Sequence, residues 1–330
     1  MSGAAVDLEE IFQRDVERIA ENFIQAFDLT FARGDHHLSY APYRWLEFAL
    51  LRYVTPTPRQ VLLSRGLWRR AAKAPEQVRS AVDNFAHRVR RGEDINAYQG
   101  RGLTTNDISG EEQARRTDLL LADFGIHHFH ITDKPVVAGE YSRRSGWLLF
   151  AVVQEDALLC IDVRHHPKGV GWAQKDVLEL AVKNWPKVFA SNEARNVTGG
   201  DWSDEEIVNL RRGGANTLHR VGSRAYGPIN GGLTAAGTPF LVHKAADGIL
   251  LEIEDLARQF VDANNSAVRL CYDKGIQRPE FHIVLTPDGI AVCEEATRIG
   301  AVLSAWPRLS EFAPQWAIAR LAAFCVQPVP

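Results

Sequence analysis

The chain predicts an α+β fold: a helical N-terminal region, then an antiparallel sheet core with packed helices, then a second α+β unit. Three observations predict it. Apolar residues recur at three-to-four spacing over 8–33, with Phe12, Val16, Ile19, Phe23 and Phe27 on one stripe. Trp147–Val153 and Ala157–Val163 are strand-forming runs separated only by Gln154-Glu155-Asp156, the pattern of a hairpin. Phe281–Leu285 and Ile290–Cys293 repeat that pattern around the turn sequence Pro287-Asp288-Gly289.

A length of 330 residues exceeds one small domain. The expected division is 1–108, a helical region with a basic stretch; 109–200, a histidine-rich core; and 201–330, a C-terminal α+β domain. Hydrophobic residues make up 45% and charged residues 24%, as in ordinary soluble proteins. A net charge of −3 excludes any global pull toward nucleic acid or an anionic membrane, though not a local basic face. No basic-then-apolar leader opens the chain and no run approaches a membrane span, so a cytoplasmic protein with no membrane partner is expected. Cys160, Cys271, Cys293 and Cys325 form no CxxC pair, which predicts reduced, buried thiols and not a zinc site.

The elements follow in order. Gly34 should end the first helix in the C′ role. A helix at about 41–54 closes before Pro56 and Pro58. From Arg59 to Arg91 there are nine Lys/Arg against two Asp/Glu, a local balance of +7, and 75–91 is helical with Val78, Val82, Phe85 and Val89 on one stripe. Such a stretch is either a phosphate-contacting face, with Trp68 and Tyr98 available to stack on bases, or a solvated surface offset by the acidic first helix. Residues 92–108 connect. Ser109-Gly-Glu-Glu112 is a capping-box pattern for a helix that stops at Gly125. A strand at 126–131, the hairpin and a helix at 173–184 complete the core. Ser203-Asp-Glu-Glu206 is a second capping box; Thr217–Val221 and Arg224–Tyr226 pair across Gly222-Ser223; helices are expected at about 243–263 and 312–325. The glycine-rich loop 227–238 lacks both the GKS/T ending of a P-loop and the GxGxxG pattern.

The chemistry points to histidines. Five of the eleven, His127, His128, His130, His165 and His166, bracket the first hairpin. Alternation along a strand puts His128 and His130 on one side, and the hairpin can bring His165 and His166 near them. Imidazole titrates closest to neutral pH, which suits acid–base catalysis. His128, His130, His165 and His166 are therefore the candidate catalytic residues. Arg143, Arg144, Arg164 and Lys168 are the candidate phosphate- or RNA-binding residues, because a developing phosphorane needs positive charge. Two motifs fail on inspection: His128-Phe-His130-Ile-Thr132 has Thr132 where a histidine-triad segment has its third histidine, and Phe281-His-Ile-Val284 lacks the Thr or Ser of a paired HxT phosphoesterase segment.

Residues 126–182 run strand, basic loop, hydrophobic hairpin, Arg164-His165-His166 and helix. In that order they resemble the core of the RelE/HigB-type mRNA interferase toxins. The resemblance implies metal-independent RNA cleavage on a small antiparallel sheet, without a cofactor, in a toxin–antitoxin or phage-defence setting. It covers under a fifth of the chain and carries only Arg164, His165 and His166 as matching positions. RNA or the ribosome is then the expected partner, with the helical N-terminal region left to bind a protein. Two other readings stand beside it: a non-enzymatic interaction protein, in which the sheets are scaffold, and a metal-dependent hydrolase that uses the same histidines as a three-nitrogen site.

Overall fold

The computed structural model describes residues 3–35, 37–108, 118–134, 136–137, 139–143, 145–166, 174–228 and 231–326. The helices are α1 (Gly3–Ala26), α2 (Ala41–Glu47), α3 (Arg65–Ala71), α4 (Glu76–Arg90), α5 (Gly102–Thr105), α6 (Leu119–Phe124), α7 (Lys175–Asn184), α8 (Asp204–Arg212), α9 (Phe240–Phe260), α10 (Ser266–Asp273), α11 (Pro307–Phe312) and α12 (Gln315–Val326). The strands are β1 (Gln60–Leu63), β2 (Ile126–His130), β3 (Trp147–Val153), β4 (Ala157–His165), β5 (Glu193–Ala194), β6 (His219–Val221), β7 (Arg224–Tyr226), β8 (Phe281–Thr286), β9 (Gly289–Glu294) and β10 (Gly300–Val302). Antiparallel strand pairs packed against helices make this an α+β protein, as the hydrophobic patterning predicts.

The chain forms two compact units that cross the sequential division expected at 108 and 200. One comprises Met1–Glu47, Asp107–Gly110 and Val242–Pro330; the other comprises Phe48–Asn106 and Glu111–Leu241. The first helix explains the crossing. Its buried stripe, Phe12, Val16, Ile19 and Phe23, packs against C-terminal residues: Phe12 meets Phe260 edge-on at 6.4 Å, and Phe260 meets Phe281 at 4.8 Å. Asp15 accepts the backbone N–H of Ile283 at 2.9 Å and faces His282 Nδ1 at 3.0 Å. Trp45, fully buried, stacks on Phe23 and donates its indole N–H to the Phe312 carbonyl at 2.8 Å. The sheet of this unit has the order β10-β9-β8.

The other unit holds a four-stranded sheet of order β1-β4-β3-β2. β2, β3 and β4 are antiparallel neighbours, whereas the edge strand β1 runs parallel to β4. Both faces are covered, which explains the near-continuous apolar runs of β3 and β4. On one face Val78, Val82 and Phe85 of α4 and Leu67 of α3 pack on Phe129, Leu149 and Leu158. On the other, Leu120 and Phe124 of α6 and Val177, Leu178 and Ala181 of α7 pack on Ile126, Leu148, Phe150 and Leu159. A small sheet of order β5-β7-β6 adds Val221 and Tyr226 to this second core.

Several boundaries differ from the sequence reading. α1 stops at Ala26, not near Gly34. Asp28 takes the left-handed conformation (φ 52°), and the Leu29→Ile24 and Asp28→Gln25 backbone bonds close a Schellman motif. The helix expected at 41–54 ends as a π-helical turn, Phe48–Arg52. β1 and α3 lie inside the stretch expected only as basic. The helix expected at about 312–325 is α12, and a short helix that the sequence reading omitted, α11, precedes it across Ala313-Pro314. Gly125 does end α6 in the left-handed conformation, and Ser203 and Glu206 do form a capping box. The Ser109–Glu112 pattern lies outside the described residues.

Candidate active site

Strand register sorts the histidines. Cross-strand partners share a face, and β2, β3 and β4 align His128, Phe150 and Asp162 in one row and His130, Leu148 and Arg164 in the next. His128 and His130 therefore share the face covered by α6 and α7, as alternation predicts. His166, two positions beyond Arg164, falls on the same face, held by its N–H to the Gly146 carbonyl at 2.7 Å. The imidazoles meet: His128 and His130 have ring centroids 5.8 Å apart and nearly perpendicular, and His130 stacks on His166 at 5.8 Å.

His165 does not join them. It is paired with Trp147 in the register and lies on its indole at 3.8 Å, on the opposite face of the sheet. The expectation that either histidine of the pair could converge is thus resolved by the pleat, which sends successive side chains to opposite faces.

Burial grades the cluster. His130 is buried, His128 keeps 21% of its side chain exposed, and His166 is exposed. Gly100, at φ +79°, sits directly against His130; a Cβ there would come within 3.2 Å of the imidazole Cδ2. The Ser142 hydroxyl donates to the His130 carbonyl at 2.9 Å, and the Ser142 N–H donates to Ala97.

Behind His128 stands Asp118, a residue that spacing did not single out. Its Oδ2 lies 2.7 Å from His128 Nδ1, while its Oδ1 accepts the Leu121 N–H at 3.2 Å and caps α6. Burial pushes this carboxyl up, but His128, the Leu121 N–H and the Arg52 charge outweigh it, and the group is held below the ordinary carboxylate range. An Asp before a Leu-rich run signals an N-cap in any sequence; nothing in the spacing signals that the second oxygen orients a histidine ten residues on. Arg52, from the π-helical turn, is buried beside Asp118 and His127. His127 points to the other face, 3.3 Å from Gln99 Oε1 through its Nδ1, and burial pushes it down to about 4.

The candidate phosphate-binding residues divide. Arg143 is exposed beside Ser142 and makes no ion pair among the described residues. Arg164 is matched instead by Asp162 at 2.7 Å and Asp176 at 2.6 Å, so its charge is spent within the fold. Arg144 and Lys168 lie outside the described residues. A separate cleft of about 390 Å³ is lined by Asn84, His87, Arg88, Arg91, Tyr98, Thr132, Asp133 and Lys134. Its Arg88 and Arg91 both clasp Glu93, which offsets much of its charge. Among the described residues no three His, Cys, Asp or Glu side chains are grouped to hold a metal ion.

No protein-family model, curated protein or solved structure matches the chain.

Proposed function

We propose that this site carries out metal-independent acid–base cleavage of RNA. The observation that carries the reading is the Asp118–His128 pair set in contact with two further imidazoles, one buried and one open to solvent. A carboxylate on one ring nitrogen fixes the tautomer and orientation of a histidine, leaving the other nitrogen to accept a proton. His128 Nε2 then takes the proton of a ribose 2′-hydroxyl. The 2′-oxygen bonds to phosphorus, the bond from phosphorus to the 5′-oxygen breaks, and His166 gives its proton to the departing 5′-oxygen. The products are a 2′,3′-cyclic phosphate and a 5′-hydroxyl. His130, packed between the two, holds their spacing, and Arg143 offers charge to the phosphoryl oxygens. This is the chemistry that the RelE/HigB resemblance implies; of the two histidines it carries, His166 is used and His165 is not, His128 comes from the histidine cluster, and Asp118 is added.

General acid–base groups contribute about 10²–10⁴-fold to rate. His128→Ala and His166→Ala should each reduce cleavage by that order, and Asp118→Asn should reduce it by disordering His128. The assay is release of cyclic-phosphate ends from single-stranded RNA in the presence of EDTA. Equal cleavage by wild type and by the His128→Ala and His166→Ala proteins would remove the proposal.

A further inference from the structure

We infer that α3 is a binding platform for single-stranded RNA, built from Trp68 between Arg65 and Arg69. The inference rests on the RNA reading above and names where the strand docks. Positions 65, 68, 69 and 72 fall at i, i+3, i+4 and i+7, one face of a helix, and all four residues are exposed. Trp68 stands 68% exposed, the most exposed of the large hydrophobic side chains described. Tryptophan is on average a well-buried residue, and here the indole stands open to solvent between two arginines. The Arg65 and Arg69 guanidiniums make no ion pair or hydrogen bond among the described residues. Their neighbour shows the contrast: Arg70 folds back across Gly66 to reach Asp162 at 2.7 Å, and a Cβ on Gly66 would lie 3.1 Å from Arg70 Nη2. Arg70 thus fastens α3 to β4, and the outward face keeps its two positive charges.

Two free guanidiniums flanking an open indole match a chain that alternates anionic phosphates with flat aromatic bases. A base stacks on the indole, and the phosphates on either side meet the guanidinium forks. The guanidinium–indole–guanidinium alternation along one helix face follows the phosphate–base–phosphate alternation of a single strand, which neither an anionic membrane nor an acidic protein repeats. Tyr98, the other aromatic expected to stack on bases, is buried against Phe85 and cannot serve. α3 also rises from the sheet at the end that carries the histidines: Ser64, which caps it, donates its hydroxyl to Ile161 of β4, five residues before His166.

The test uses the full chain and a single-stranded 2′-O-methyl oligonucleotide, which lacks the attacking hydroxyl and reports binding without cleavage. Titration should quench tryptophan fluorescence, and Trp68→Phe should remove most of the quench while retaining binding. Trp68→Ala should weaken binding about 5- to 160-fold, the range for loss of one stacked base. Arg65→Gln/Arg69→Gln should lower the slope of log affinity against log salt by about 1.4, as expected for two phosphate contacts on a single strand. The side chains are exposed, and unchanged circular dichroism confirms that the variants fold. Binding by Trp68→Ala equal to wild type, or tighter binding to anionic lipid vesicles than to the oligonucleotide, would overturn the platform. RNA cleavage can survive that result, and loss of cleavage in the histidine variants leaves the binding result intact, so the two readings fail separately.

Discussion

Individual side chains of the site are set by forces that can be tested one at a time. Gly100 is required where it stands, because its positive φ is costly for other residues and its α-carbon faces the His130 ring. Gly100, at φ 79° and ψ 178°, lies in a region open essentially to glycine alone, so Gly100→Ala should cost about 1–3 kcal/mol of stability from the backbone alone and reduce cleavage further by displacing His130; chemical denaturation and the RNA assay read the two effects. His165→Ala should leave cleavage unchanged, since that ring lies across the sheet on Trp147. His127 and His219 give a pH prediction. Burial pushes both down to about 4, so between there and the ordinary value near 6.5 the unfolded chain binds protons that the folded chain refuses. Stability is therefore lost as pH falls through that window, by roughly 2 kcal/mol per histidine between pH 7 and pH 5. His127→Gln should flatten the loss measured by urea unfolding at the two pH values. Asp118 is displaced in the same direction by a different cause, its His128 and Leu121 partners outweighing burial, so its contribution is present above the ordinary carboxylate range and is lost as pH falls through and below it.

At the scale of elements, β2, β3 and β4 were legible in the sequence, and so was the sharing of one face by His128 and His130, because alternation and turn residues are local signals. β1 was not. Four residues inside an arginine-rich stretch carry too little pattern, and their strand character comes from pairing with β4 far along the chain. The choice of His166 over His165 depended on register and on the bulge between Phe150 and Ala151, which no local pattern specifies. Asp118 was hidden for a related reason: its contact with His128 is made by the angle between α6 and β2. In the first unit the buried Arg44 is another such case. It pairs with Glu47 at 2.9 Å and donates to the Thr30 carbonyl at 2.7 Å. Arg44→Ala would strand a buried carboxylate and should cost about 3–5 kcal/mol, seen as a lower midpoint of denaturation.

For the whole molecule, the interleaving of the ends is the main lesson. Patterning predicted the helices at both termini but assigned them to different regions, since hydrophobic periodicity says that a face is buried and not against what. α1 supplies Phe12, Phe23 and Asp15 to the unit built from C-terminal strands. Removing residues 1–28 should therefore abolish hydrogen-exchange protection in β8 and β9 while β3 and β4, which draw their core from α4, α6 and α7, remain protected. Protection of β8 that survives the truncation would show that the C-terminal segment folds alone.

The central claim is that Asp118, His128 and His166 form a metal-free cleavage centre, and one assay tests it most directly. Purified protein and its His128→Ala, His166→Ala and His165→Ala variants are incubated with single-stranded RNA in EDTA, and cyclic-phosphate ends are counted. The account predicts cleavage by the wild type and by His165→Ala, and a loss of about 10²–10⁴-fold in the other two. Cleavage that needs a divalent metal, or that persists in His128→Ala and His166→Ala, would contradict it.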